Sequence, residues 1–130
     1  MTLAFIGLGL IGGSFARDLR KSDLAEELLG VDTDPAHAAR ALELGLVDRV
    51  VALDEAASEA DVLLLAVPVN AIETLLPRLL DTARDGQTVI DLGSTKLRIA
   101  DAVREHPNRE RYVAAHPMAG TEHAGPDAAL

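Results

Sequence analysis

Leu3-Ala4-Phe5-Ile6-Gly7-Leu8-Gly9-Leu10-Ile11-Gly12 sets an apolar run directly against a GxGxxG turn, and helix-compatible sequence follows. The apolar run reads as a buried strand and the glycines as a tight strand-to-helix turn. Gly7 lets the chain turn sharply out of the strand, and Gly9, lacking a side chain, lets the backbone approach a pyrophosphate. Gly12, with Ala16 one turn later, lets the helix pack closely on the sheet. A pyrophosphate at that helix N-terminus would meet unpaired N–H groups and the positive end of the helix dipole. Such turns are common by themselves. The signal strengthens at Asp32, twenty positions after Gly12, where a second apolar run, Leu28-Leu29-Gly30-Val31, ends. An acid at that distance is suited to the ribose hydroxyls of a dinucleotide. It also repels a 2′-phosphate, by roughly 4 kcal/mol per charge pair at about 4 Å and an effective dielectric near 20. The expected cofactor is therefore NAD, ahead of NADP. The alternative for Asp32 is a loop carboxylate that only caps or is solvated.

Outward from this unit, strand and helix alternate to the end of the chain. Strands are expected at Leu3–Gly7, Leu28–Asp32, Arg49–Ala52, Asp61–Val67, Thr88–Leu92 and Tyr112–Ala115. Helices are expected from Leu10 to Arg20, from Pro35 to Leu44 and from Leu53 to Ala60, then through Ile72, Leu75, Leu76, Leu79 and Leu80, and finally from Leu97 to Glu105. Asp34-Pro35 has the form of a helix start, with an aspartate cap and proline at the first helical position, and Gly45 the form of a stop. Six strands with crossover helices match an α/β doubly wound parallel sheet, the Rossmann arrangement, of order 3-2-1-4-5-6 in a single domain. Ligands of such sheets bind where the strand order reverses, at the carboxyl ends. The distinctive residues gather there: Gly7–Gly12, Asp32, Pro68-Val69-Asn70, Gly93-Ser94-Thr95-Lys96 and His116-Pro117.

The composition agrees with this architecture. Apolar residues make up 48% of the 130-residue chain and aromatics only 2%, so the core must be built from aliphatic side chains, as in parallel sheets covered on both faces. With 12 basic against 21 acidic residues, the net charge is −9, and no basic patch with stacking aromatics is present for nucleic acid. There is no cysteine, hence no disulfide, thiolate metal site or cysteine nucleophile. The longest apolar run, Val62 to Val69, is too short to cross a bilayer, and Leu3–Ile6 is too short for a signal peptide. The expectation is a cytoplasmic protein without membrane or nucleic-acid partners. His37, His106 and His123 have no second ligand at metal spacing, so no metal site is expected.

Ser94 and His116 end adjacent inner strands in this topology and could supply a hydroxyl and an imidazole near a nicotinamide. The residues alone leave this open. Ser94 by itself reads more readily as a turn residue or a cap for the helix from Leu97, and His116 equally as a strand-end histidine with no chemical task.

Three blocks together resemble the prephenate/arogenate dehydrogenase family of tyrosine biosynthesis. They are Gly7-Leu8-Gly9-Leu10-Ile11-Gly12-Gly13-Ser14, Asp91-Leu92-Gly93-Ser94-Thr95-Lys96 and His116-Pro117-Met118-Ala119-Gly120-Thr121-Glu122-His123. The first is shared with many nicotinamide enzymes, whereas the other two, in this order and spacing, are far more specific. The resemblance runs from Leu3 to Gly125. It implies an NAD-dependent oxidative decarboxylation of prephenate or arogenate, an oxidoreductase reaction. It implies catalytic roles for His116 and Ser94, and substrate contacts from Ser94, His116, Thr121 and Glu122. Cofactor contacts are expected from Gly7, Gly9, Leu10, Ile11, Gly12, Asp32, Val67, Pro68 and Ser94.

Two departures stand out. Many family members have serine where this chain has Ala124. Family members also continue into a helical domain that forms a homodimer and supplies an arginine for a substrate carboxylate. That domain is expected to be absent from residues 1–130, leaving a cofactor-binding half with little or no turnover of its own. The competing readings are a non-catalytic NAD-binding module and a 3-hydroxyacid-type dehydrogenase domain. The second and third blocks argue against the latter.

Overall fold

The computed structural model describes residues 1–9, 17–19, 21, 26–92, 99 and 102–114. Six parallel strands form one sheet: β1 (Thr2–Ile6), β2 (Glu27–Val31), β3 (Arg49–Val50), β4 (Val62–Leu65), β5 (Thr88–Asp91) and β6 (Tyr112–Ala114). Their order is β3-β2-β1-β4-β5-β6, the doubly wound order expected from the alternation of elements. Three helices are described in full, α1 (Pro35–Glu43), α2 (Leu53–Glu59) and α3 (Val69–Asp81). Arg17, Asp18, Leu19 and Lys21 are also helical, as are Ile99, Ala102 and Val103.

Side chains alternate across the sheet with the strand period of two, and the core divides accordingly. Ala4 and Ile6 of β1, Leu29 of β2, Leu63 and Leu65 of β4 and Val89 of β5 face one layer, where Ala56 of α2, Ile72, Leu76, Leu79 and Leu80 of α3, Ile99 and Val103 cover them. Leu3, Phe5, Leu28 and Leu64 face the other, with Leu8, Ala41 of α1, Leu46, Val47 and Leu92. Pro77 lies inside α3, where it removes one helical donor. The buried stripe on either side of it holds the helix against the sheet.

The helix ends follow their local chemistry. Asp34 caps α1, its side chain accepting from the Ala36 N–H at 2.9 Å, and Pro35 opens the helix. Gly45, at φ +70°, carries the chain out of it in the left-handed region. Several elements are shorter than expected. β4 stops at Leu65 rather than Val67, because β1 turns away at Gly7 after the Ala66 N–H has bonded to the Ile6 carbonyl. Arg104 and Glu105, expected to be helical, form a turn in which the His106 N–H bonds back to the Val103 carbonyl. β3 ends at Val50. Arg49 on that edge strand is held by Glu27, Glu55 and Glu59, which places charge on an edge otherwise open to pairing.

Candidate functional site

The chain leaves β1 between the ends of β2 and β4, and contacts on both sides hold it there. Towards β2, the Gly7 N–H donates to the Val31 carbonyl at 2.8 Å, and the Leu8 N–H donates to Asp32 Oδ2 at 2.8 Å. Towards β4, the backbone of Gly7 lies so close to Ala66 that a Cβ there would sit 2.5 Å from the Ala66 oxygen and 2.9 Å from Val67 Cγ1. Gly7 also has φ +101°, which an L side chain rarely adopts. Both its conformation and its surroundings therefore require glycine.

Leu8, the residue between the first two glycines, is buried. Its side chain lies over Gly30 of β2, where a Cβ would come within 2.9 Å of Leu8 Cδ1 and 3.2 Å of Val47 Cγ1. Sequence reasoning passed over Gly30. The signal was a glycine within an otherwise apolar strand, which marks a close approach.

Asp32 sits just beyond β2 with a side chain only 10% exposed. Its Oδ2 accepts from Leu8 and lies 3.2 Å from His37 Nδ1, and its Oδ1 accepts from the Asp34 N–H at 2.8 Å. Burial by itself would push this carboxyl up. The hydrogen bonds from Asp34, Leu8 and His37 outweigh it, so the pKa lies below the ordinary carboxylate value. The acid is thus a fixed anion bonded directly to the glycine turn.

Gly9 differs from Gly7: among the described residues, a Cβ added there would meet no atom within 4 Å. The described residues leave this approach clear, as close contact with a phosphate requires. Val67 packs on the core beside Gly7, and Pro68 stands before α3, its carbonyl accepting from the Ala71 and Ile72 N–H groups. Gly7, Gly9, Asp32, Val67 and Pro68 therefore lie at the carboxyl ends of β1, β2 and β4, where the strand order reverses. Leu10, Ile11, Gly12, Ser94, His116, Thr121 and Glu122 lie outside the described residues.

A second group was missed from sequence. Asp91, the last residue of β5, is fully buried, and the Tyr112 hydroxyl of β6 donates to its Oδ2. A carboxylate ending an apolar strand was the available signal, because a buried charge needs specific partners. His106, by contrast, lies at the opposite end of the sheet, before β6 begins: its Nε2 is 2.6 Å from Asp81 Oδ1, at the C-terminal end of α3.

Residues 15–130 match the family described as prephenate dehydrogenase, nucleotide-binding domain. The chain belongs to the prephenate dehydrogenase family. It is 35% identical over 131 residues to the prephenate dehydrogenase of Bacillus subtilis, an alignment covering 98% of this chain and 35% of that protein. Among solved structures, arogenate dehydrogenase of Synechocystis superposes with a TM-score of 0.79 at 32% identity, covering 100% of this chain and 45% of that one. Prephenate dehydrogenase of A. aeolicus, solved in complex with hydroxyphenyl propionate and NAD+, gives a TM-score of 0.78 at 27% identity, covering 98% of this chain and 45% of that one. The chain spans about a third of the length of the Bacillus relative. The family match begins at residue 15, after the glycine turn, so it rests on sequence separate from the fingerprint that first suggested the fold. Among the described residues, no helix is long and apolar enough to cross a membrane.

Proposed function

We propose that this chain is the NAD-binding half of a cytoplasmic dehydrogenase that oxidatively decarboxylates prephenate or arogenate. The hydrogen bond from the Leu8 N–H to Asp32 carries the reading. It couples the glycine turn to a fixed carboxylate at the ribose position, while no described residue crowds Gly9, where a pyrophosphate would approach. In this reading Gly7, Gly9, Leu10, Ile11, Gly12, Asp32, Val67, Pro68 and Ser94 hold the dinucleotide, and the charge of Asp32 selects NAD over NADP.

Bound NAD supplies the acceptor, C4 of the nicotinamide, for a hydride from the ring carbon that bears the substrate 4-hydroxyl. His116, as a neutral imidazole, accepts a hydrogen bond from that hydroxyl and takes its proton. Ser94 hydrogen-bonds the same hydroxyl and orients His116. The C1 carboxylate departs as carbon dioxide, the electron pair of the broken bond completes the aromatic ring, and His116 returns its proton to the resulting phenolate oxygen; aromatisation makes the step effectively irreversible. Thr121 and Glu122 contact or gate the substrate. A helical domain beyond this one, as family resemblance implies, forms the homodimer and reads the group that distinguishes prephenate from arogenate.

A calorimetric titration of the chain with NAD and NADP tests the cofactor half of this proposal. Binding of both, with NAD tighter, is the expected result. Failure to bind either nucleotide, or a preference for NADP, overturns it.

A further inference from the structure

His37, on the first turn of α1, has both ring nitrogens against carboxylates. Its Nδ1 lies 3.2 Å from Asp32 Oδ2 and its Nε2 lies 3.6 Å from Asp34 Oδ2, with the side chain 52% exposed. Among the described residues, the other donors to Asp32 are the main-chain N–H groups of Leu8 and Asp34, which carry no titratable charge. Among the described residues bonded to the ribose-position acid, the imidazole is the one group that can change charge.

We propose that His37 is a specificity-determining residue of the nucleotide site, setting how strongly the Asp32–Asp34 pair rejects a 2′-phosphate on the adenosine ribose. The inference rests on the nucleotide reading above and deepens it. Two carboxylates side by side present a local charge that a 2′-phosphate must approach. A neutral imidazole has a single N–H and can serve only one of them as donor. A protonated ring donates to both and cancels one of the two negative charges. Histidine is the side chain suited to making this change between about pH 5 and 8. Among the described residues, the charged groups facing the ring are Asp32 beyond β2 and Asp34 at the helix cap. The glycine turn contributes the Leu8 N–H to the same carboxylate, and Arg40, one turn further along α1, is held by Glu43 at 3.2 Å. The rejection of NADP is therefore strongest with the ring neutral and relaxes as the ring is protonated.

The test compares NAD and NADP dissociation constants by calorimetry at about pH 8 and about pH 5.5, for the wild-type chain, His37→Ala and His37→Arg. The 2′-phosphate itself takes up a proton near pH 6, so some narrowing of the preference on acidification is common to all three. The wild type is expected to narrow further than His37→Ala by about fivefold, the factor for one charge pair in water at contact distance. His37→Arg, permanently charged, is expected to accept NADP comparatively well at both pH values. The same narrowing in wild type and His37→Ala overturns the role of His37 while leaving the NAD reading intact. Binding of neither nucleotide overturns both. His37 is half exposed and alanine favours helix, so the substituted chain is expected to retain its fold, which circular dichroism checks.

Discussion

The Tyr112 hydroxyl donates to Asp91 Oδ2, joining the beginning of β6 to the end of β5. In the parallel register Tyr112 lies opposite Val89 and Ala114 opposite Asp91, so the phenol reaches forward by two residues on one face of the sheet. Asp91 is fully buried on the same face as Val89, among aliphatic side chains. Ser94 follows Asp91 by three positions, and His116 follows Ala114 by two. The bond therefore joins the two strands that lead into the proposed catalytic residues.

Removal of that hydroxyl should be felt in stability. Tyr112→Phe is expected to destabilise the domain by about 1–3 kcal/mol, since a buried carboxylate loses a donor. Burial, followed by the hydrogen bond to Asp91 and its charge, pushes the Tyr112 phenol well above its ordinary value. A raised acid contributes stability that is fully present below the unfolded pKa, near 10, and lost as pH rises through the folded value. Urea unfolding of the wild type should accordingly weaken in alkali above about pH 10, with a smaller alkaline loss in Tyr112→Phe. Parallel pH profiles for the two proteins would contradict this.

The first two glycines should separate fold from function. Gly7→Ala forces a side chain into the backbone of Ala66 at a positive φ and is expected to cost roughly 2–5 kcal/mol of stability. Gly9→Ala meets no described atom within 4 Å and is expected to alter stability by less than about 1 kcal/mol while weakening nucleotide binding. Thermal melts and NAD titrations of both variants check the pair. A Gly9→Ala chain that binds NAD as the wild type does would refute the second half.

Asp32→Ala should act on both stability and cofactor choice. The Leu8 and Asp34 N–H groups lose their acceptor, a loss of about 1–3 kcal/mol where they stay dry. NAD binding is expected to weaken more than NADP binding, and equal losses would argue against the assigned role. The lowered pKa of Asp32 means that its contribution is present above the ordinary value of 3.8 and is lost as pH falls through the folded value. Acid unfolding below about pH 4 should therefore be less steep in the variant.

For the chemical step, this chain joined to a family substrate domain provides the assay. His116→Ala is expected to reduce turnover by about 10²–10⁴-fold, the range for a positioned general base, with NAD affinity unchanged. Ser94→Ala should reduce it less. Retention of the wild-type turnover number by His116→Ala would dismiss the proposed mechanism.

Much of the proposed nucleotide site can be read from the sequence because its signals are local. The run ending at Ile6, the glycines after it and the acid after Val31 each lie at the carboxyl end of a strand, and the alternation of elements fixed which ends face together. Gly30 and Asp91 escaped notice for a common reason. Each is explained by a residue distant in sequence, Leu8 for the one and Tyr112 for the other. Strand ends were misjudged similarly. The apolar run through Val67 says nothing of where β1 turns away and withdraws its hydrogen bonds from β4.

Sequence alone determined the class of sheet, the order of its strands and the family, because period-two and helical patterns, glycine turns and the Ser94 and His116 motifs are written in consecutive residues. Tertiary structure decided that Gly7 is confined while Gly9 meets none of the described residues, and that Asp32 is held by the turn after β1. It also decided that His37 stands between two carboxylates and that Asp91 is buried against Tyr112. These depend on distances between segments, which packing sets and no local pattern encodes.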